Sequence, residues 1–232
     1  MTAIALATIL SKVSSQPLAA PTPVQQAAAN ATLLGLFKDR PNENIARYMH
    51  RPSKVTVSQL KSALIAGANV NATDSNGSTA LVMAASSAKV HCVRFLVSKG
   101  ADVNARNRFG VSPLLEAVAW DRVACARFLV NKGADVDAAD IWGNTPLIKA
   151  SEVGDIECVM FLAASGANIN AANTFGLTSL MYAASVDNID CIEFLISKGA
   201  DVNARDVYGD TPISLASRSR RVVALLKKAG GS

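Results

Sequence analysis

Four cysteines are the first residues of this 232-residue chain whose type and spacing could do chemistry. Neighbouring cysteines are always 33 residues apart, at Cys92, Cys125, Cys158 and Cys191. An interval this regular predicts one helical position in successive repeats, and packed helices lie about 8–10 Å apart. A disulfide needs Cα atoms within about 7 Å, and one zinc ion holds its sulfurs at about 2.3 Å. We therefore expect the four cysteines to be small buried hydrophobic residues of a protein in a reducing compartment, and we expect no metal site.

Catalytic chemistry has little support in this sequence. The only histidines are His50 and His91, and neither has a second histidine or a cysteine at ligand spacing. No phosphate-binding glycine loop, nucleophile elbow or metalloprotease helix is present. The aspartates recur at positions typical of turns. We expect a protein without enzymatic activity and without a cofactor.

The 33-residue interval extends to other residue types and so describes the architecture of the chain. Phenylalanines share it at Phe95, Phe128, Phe161 and Phe194, and turn glycines share it at Gly77, Gly110, Gly143, Gly176 and Gly209. The chain is thus an array of repeats, each of which buries its apolar face only against its neighbours. Four full repeats span 74–106, 107–139, 140–172 and 173–205, and a truncated one spans 206–232.

Each repeat predicts a turn followed by two helices. In the third repeat, Asp140 and Gly143 favour a tight turn, and Thr145 and Pro146 are typical of a helix N-terminus. A second helix follows and ends near Gly166, where a left-handed residue is favoured. Small alanines let the helices approach closely, and the recurrent phenylalanine is expected to be a large buried side chain. The fold class is therefore all-α.

Two segments of this pattern resemble the ankyrin repeat, namely Gly143-Asn144-Thr145-Pro146-Leu147 and Gly199-Ala200-Asp201-Val202-Asn203-Ala204. The resemblance covers 74–232 and implies a solenoid of stacked turn-helix-helix units. It also implies a partner-binding face made of turn tips and first helices. The sequence departs from the family where a histidine usually follows Thr-Pro-Leu, because Val82, Leu115, Ile148, Met181 and Ser214 stand there.

The two ends of the array are expected to be caps. Residues 31–232 form the repeat domain, with an N-terminal capping unit at 31–73 and a C-terminal capping repeat at 206–232. Upstream, the Ala-, Pro-, Gln- and Ser-rich stretch 1–30 predicts a disordered tail that makes a poor secretory or mitochondrial signal. We expect a monomer of the cytoplasm or the nucleus with no transmembrane segment.

The turn tips carry the candidate binding residues. The third residue of four repeats is aromatic, and these rings are Phe109, Trp142, Phe175 and Tyr208. Trp120 on a first helix stands where other repeats have Ser or Val, and Arg108 and Ile141 lie beside the rings. Buried or central aromatic residues are typical anchors of protein interfaces. We predict a protein–protein interaction module, an adaptor, scaffold or inhibitor, although rings at the tips could instead pack on adjacent turns and stiffen the array.

A binder of anionic polymers or membrane surfaces is the alternative prediction. The formal charge of +5 arises within residues 1–73, and the rest of the chain is neutral. The C-terminal end is nevertheless basic, with Arg218, Arg220, Arg221, Lys227 and Lys228 and no acidic residue after Asp210. Basic ends on a neutral array are also common solubilising caps, so nucleic acid is not the expected partner.

Overall fold

The computed structural model describes residues 20–37, 55–87, 89–216 and 219–231. Within these ranges the chain forms twelve helices and, apart from two isolated β-bridges, no strand, which confirms the all-α class. In chain order the helices are α1 (Pro23–Gly35), α2 (Val57–Ile65), α3 (Ala80–Ala85), α4 (Val90–Ser98), α5 (Pro113–Ala119), α6 (Val123–Val130), α7 (Pro146–Val153), α8 (Ile156–Ala164), α9 (Ser179–Ser185), α10 (Ile189–Ser197), α11 (Pro212–Leu215) and α12 (Arg220–Lys228).

A hydroxyl residue begins the first helix of every repeat, as the sequence predicts. Its side-chain oxygen accepts a hydrogen bond from the backbone N–H three residues on, which satisfies one of the free donors at a helix N-terminus. Proline follows directly in three repeats and costs no helical hydrogen bond there. The capping residues are Thr79, Ser112, Thr145, Thr178 and Thr211.

The helices stack in two rows. The first helices α3, α5, α7, α9 and α11 pack side by side, and the second helices α2, α4, α6, α8 and α10 form the row behind them. The contact between rows is made by buried small residues, among them Ala84, Ala117, Ala150, Ala183 and Ala216. A single hydrophobic core therefore runs along the stack, as a repeat array requires.

The recurrent phenylalanines are only partly buried, so the prediction of a fully buried ring was wrong. They pack against the core from the second helices, and basic side chains cover their outer faces. The guanidinium of Arg94 lies 4.8 Å from the ring centroid of Phe128, and that of Arg127 lies 4.6 Å from that of Phe161. Cation–π contacts of this kind stabilise an aromatic ring at a partly solvent-exposed position.

The N-terminal stretch differs from the predicted disordered tail. Helix α1 begins at Pro23, inside the expected tail 1–30, and its start is a capping box in which Thr22 and Gln25 bond each other's backbone N–H groups. Ala29, Leu33 and Leu34 of this helix are buried. The expected capping unit at 31–73 is therefore extended upstream by α1, while residues 1–19 lie outside the described residues.

Helix α1 supplies the contacts that a preceding repeat would make. The side-chain amide of Asn71 donates to the Gly100 carbonyl at 3.1 Å, and its oxygen accepts from the Asp102 N–H at 2.8 Å. One repeat earlier, Gln26 of α1 donates to the Gly67 carbonyl and Asn30 accepts from the Asn69 N–H. Gln26 and Asn30 of α1 thus make the two hydrogen bonds that a single loop asparagine makes at the next junction.

Candidate partner-binding surface

The turn at the head of each repeat is held by its first residue. In the third repeat, the Asp140 Oδ1 atom accepts from the N–H groups of Trp142 and Asn144, both at 2.9 Å. Gly143 completes the turn with a φ of +79°, and a Cβ there would lie 3.0 Å from the Asn173 Cα atom. Both the left-handed backbone and the close approach of the next turn therefore require glycine.

Backbone hydrogen bonds join each turn to the next. The N–H of Ile141 donates to the Phe109 carbonyl at 3.0 Å, and that of Thr174 donates to the Trp142 carbonyl at 2.8 Å. The backbone N–H of Arg108 donates to the Asn76 carbonyl in the same way. These bonds connect the turns directly, while Val82, Leu115, Ile148 and Met181, at the position where a histidine is usual, are buried. The second residue of each repeat therefore lies against the tip residue of the repeat before it.

These contacts place the predicted tip residues in one row. We call Phe109, Ile141, Trp142, Phe175, Val207 and Tyr208 the tip ladder. Phe109, Trp142 and Phe175 keep nearly half of their surface exposed, while Tyr208 is 82% exposed. The first three belong to turns whose carbonyls bond a following turn, whereas Tyr208 lies on the last turn of the chain. The rings of Phe109, Trp142 and Phe175 are thus partly covered and partly open to solvent, whereas that of Tyr208 is largely exposed.

A second row of residues lies at the C-terminal ends of the first helices. Trp120 follows α5, is half-buried, and donates from its indole Nε1 to the Glu116 Oε1 atom at 3.1 Å. At the same repeat position, Val153 and Val186 are 45% and 48% exposed. We call these three residues the helix-end row. The sequence analysis did not name Val153, Val186 or Val207 as candidate binding residues. The 33-residue register could have shown them, because each occupies the same repeat position as a predicted residue.

The cysteines take no part in this surface. All four are free thiols and all are buried in the second-helix row. Burial raises the pKa of the Cys125 and Cys191 thiols to about 11 and that of Cys158 to about 12, and it raises that of Cys92 as well. A thiol reacts as its thiolate, so burial protects these four from thiol chemistry at neutral pH.

Two further findings concern metal binding and membrane crossing in the described part of the chain. No group of three or more His, Cys, Asp or Glu residues is arranged there to hold a metal ion. Across the same residues, no helix combines the length and the apolar character that crossing a membrane needs.

A stack of turn-helix-helix units with hydrogen-bonded tips defines a helical repeat protein. The family model described as ankyrin repeats (3 copies) matches residues 53–140 and 137–206. These segments cover more than half of the sequence, and the chain belongs to the ankyrin-repeat family. A search of curated proteins gave no significant match. Ankyrin repeats generally mediate protein–protein interactions and are typically not catalytic.

Proposed function

We propose that this protein is a non-catalytic adaptor, scaffold or inhibitor that binds a partner protein through the tip ladder and the helix-end row. The observation that carries the proposal is the tip ladder itself, a continuous row of exposed apolar side chains on hydrogen-bonded turns. Exposed apolar side chains that lie together, rather than singly, mark interaction surfaces.

The rigidity of the turns favours binding at this surface. The tip backbones of Phe109, Trp142 and Phe175 are fixed by their own Asp or Asn side chains and by the next turn, so little conformational freedom remains to be lost when a partner binds there. The centre of the proposed face is the segment 107–205, with Trp142 and Trp120 as the principal anchors. Arg108, Ile141 and Thr174 make each tip chemically different from the next.

An anion-binding function is the second candidate. Arg220, Arg221, Lys227 and Lys228 on α12 are exposed and form no ion pair with the described residues. Such a row of cations would bind a polyphosphate chain or an anionic membrane by charge alone.

Capture from a cell extract, repeated at increasing salt, separates the two functions. A partner held by apolar anchors should remain bound at salt concentrations that strip phosphate contacts, because only the electrostatic contacts are screened. The test variant is Trp142→Ala. Its matched control is Met160→Ala, which removes an exposed apolar side chain from α8 in the second-helix row. Binding through the tip ladder requires loss of capture with Trp142→Ala and retention with Met160→Ala. Release at moderate salt from all three proteins would instead support the anion-binding function.

A further inference from the structure

One position differs between the repeat junctions, namely the residue that begins each second helix. Three of these residues donate a hydrogen bond back to the preceding repeat, to the loop before its second helix. Lys89 Nζ donates to the Val55 carbonyl and Arg122 Nε to the Ser86 carbonyl, both at 3.1 Å, and Asn188 Nδ2 donates to the Gly154 carbonyl at 2.7 Å. At the last junction, Ser219 caps its own helix α12 instead. The remaining residue is Asp155, whose carboxyl group can donate only when it carries a proton.

The two oxygens of Asp155 have different surroundings. Its Oδ1 atom caps α8 by accepting from the N–H groups of Glu157 at 3.0 Å and Cys158 at 3.2 Å. Its Oδ2 atom is fully buried and has no hydrogen-bond partner among the described residues. Asp121, in the loop between α5 and α6 of the preceding repeat, is its neighbour by register. One repeat later the same two positions are Gly154 and Asn188, where a Cβ on Gly154 would lie 3.0 Å from the Asn188 Nδ2 atom. Two neighbouring carboxylates, one of which has a buried oxygen, repel each other unless one holds a proton.

The remaining groups around Asp155 supply no donor for Oδ2. Glu157 and Cys158 belong to the same helix, and Cys191 faces the carboxyl group from α10. Arg127 of α6 is paired with Glu157 at 3.1 Å. Burial and, after it, the neighbouring Asp121 carboxyl raise the pKa of Asp155, although its two backbone hydrogen bonds act in the opposite direction.

We propose that Asp155 and Asp121 share a proton that closes the junction between the repeats 107–139 and 140–172. The O–H on Asp155 Oδ2 donates to the Asp121 carboxylate and takes the place of the Lys, Arg or Asn donor found at three other junctions. Loss of the proton leaves two facing carboxylates and one junction without this bond. The stability of this junction therefore depends on pH, whichever partner the protein binds.

The sign of the pH dependence follows from linkage. The folded protein holds the proton more tightly than the unfolded chain, in which an aspartic acid has a pKa of about 3.9. The stabilisation is fully present below that value, and it is lost as pH rises through the raised pKa of the folded protein.

Urea unfolding of the full chain from pH 3.5 to pH 8 tests the proposal with Asp155→Asn. The asparagine keeps the Oδ1 acceptor and adds a permanent donor, as Asn188 does one repeat later. At pH 8 the unfolding constant of this variant should be about two- to tenfold smaller than that of the wild type, the ratio expected for one hydrogen bond. The difference should close as pH falls, because the wild type then gains the same bond.

Asp187→Asn is the matched control. Asp187 stands two repeats after Asp121 and shares its positive φ, at 60° against 55°, so the variant removes a carboxylate from an equivalent backbone position. It should follow the pH profile of the wild type. A stability gain of Asp155→Asn that is equal at pH 3.5 and pH 8, or no gain at either, would overturn the proposal. So would stabilisation of the wild type, but not of Asp155→Asn, by millimolar Ca²⁺ at pH 8, because a cation would then occupy the carboxyl pair.

Discussion

Replacing Asp137 by Asn should stabilise the protein, because it completes a row of hydrogen bonds between loops. In four other loops, the side-chain amide of an asparagine donates to the carbonyl of the glycine that ends the next repeat's second helix, at 3.0–3.1 Å. The donors are Asn71, Asn104, Asn170 and Asn203. Asp137 occupies the same position and accepts from the Asn168 N–H at 3.0 Å, but its carboxylate has no N–H to donate to the Gly166 carbonyl.

The size of the effect follows from the geometry of the equivalent loops. Asp137→Asn keeps the bond from Asn168 and adds one neutral hydrogen bond, worth about 0.5–1.5 kcal/mol. The loop is partly exposed to water, which places the expected gain in the lower half of that range. For a chain of this size, 1 kcal/mol corresponds to a rise in the thermal midpoint of about 2–4 °C.

Urea unfolding of Asp137→Asn, measured beside the reciprocal variant Asn170→Asp, is the appropriate assay. We expect the first to raise the midpoint and the second to lower it, both without a change in the slope of the transition. A midpoint of Asp137→Asn equal to or below that of the wild type would show that the missing donor at this loop has no energetic cost.

Two further predictions concern the core and the thiols. Ser179 stands at the first position of α9, where three other repeats have proline. Its buried hydroxyl has no hydrogen-bond partner among the described residues. Ser179→Pro should therefore stabilise the folded protein by about 1 kcal/mol. Ala80→Pro, at the same position but without a hydroxyl to remove, should gain less in the same urea experiment. All four cysteines should react slowly with a thiol reagent in the native protein at pH 8 and rapidly in denaturant, because burial raises their pKa values; rapid labelling of native Cys158 would contradict this reasoning.

The repeat plan was predictable because local signals and the 33-residue period agree. The Thr-Pro pair at Thr145 and Pro146 and the left-handed Gly166 each specify a helix end without reference to the rest of the chain. Helix α1 was not predicted, since its Ala- and Gln-rich sequence resembles a disordered linker. The local signals were Thr22, Pro23 and Gln25 at its start, and the contact of Asn30 with the Asn69 N–H arises from tertiary packing.

The surface was predictable in position but not in exposure. The register places Phe109, Trp142 and Phe175 at successive tips, but it does not reveal how far the next turn covers each ring. The same limit explains the phenylalanines of the second helices, which periodicity alone assigns to the core and which basic side chains cover instead. The contact between Asp121 and Asp155 depends on how one repeat packs on the next, which no local pattern encodes.

The affinity for the captured partner, measured for the wild type, Trp142→Ala, Trp120→Ala and Met160→Ala, tests the proposed binding face most directly. The account predicts that each tryptophan variant weakens binding by about 2 kcal/mol or more, roughly a thirtyfold rise in Kd, with little change in the unfolding midpoint. Met160→Ala should bind as the wild type does. Tryptophan variants that lose stability but keep their affinity would contradict the account and show that these rings only stiffen the array.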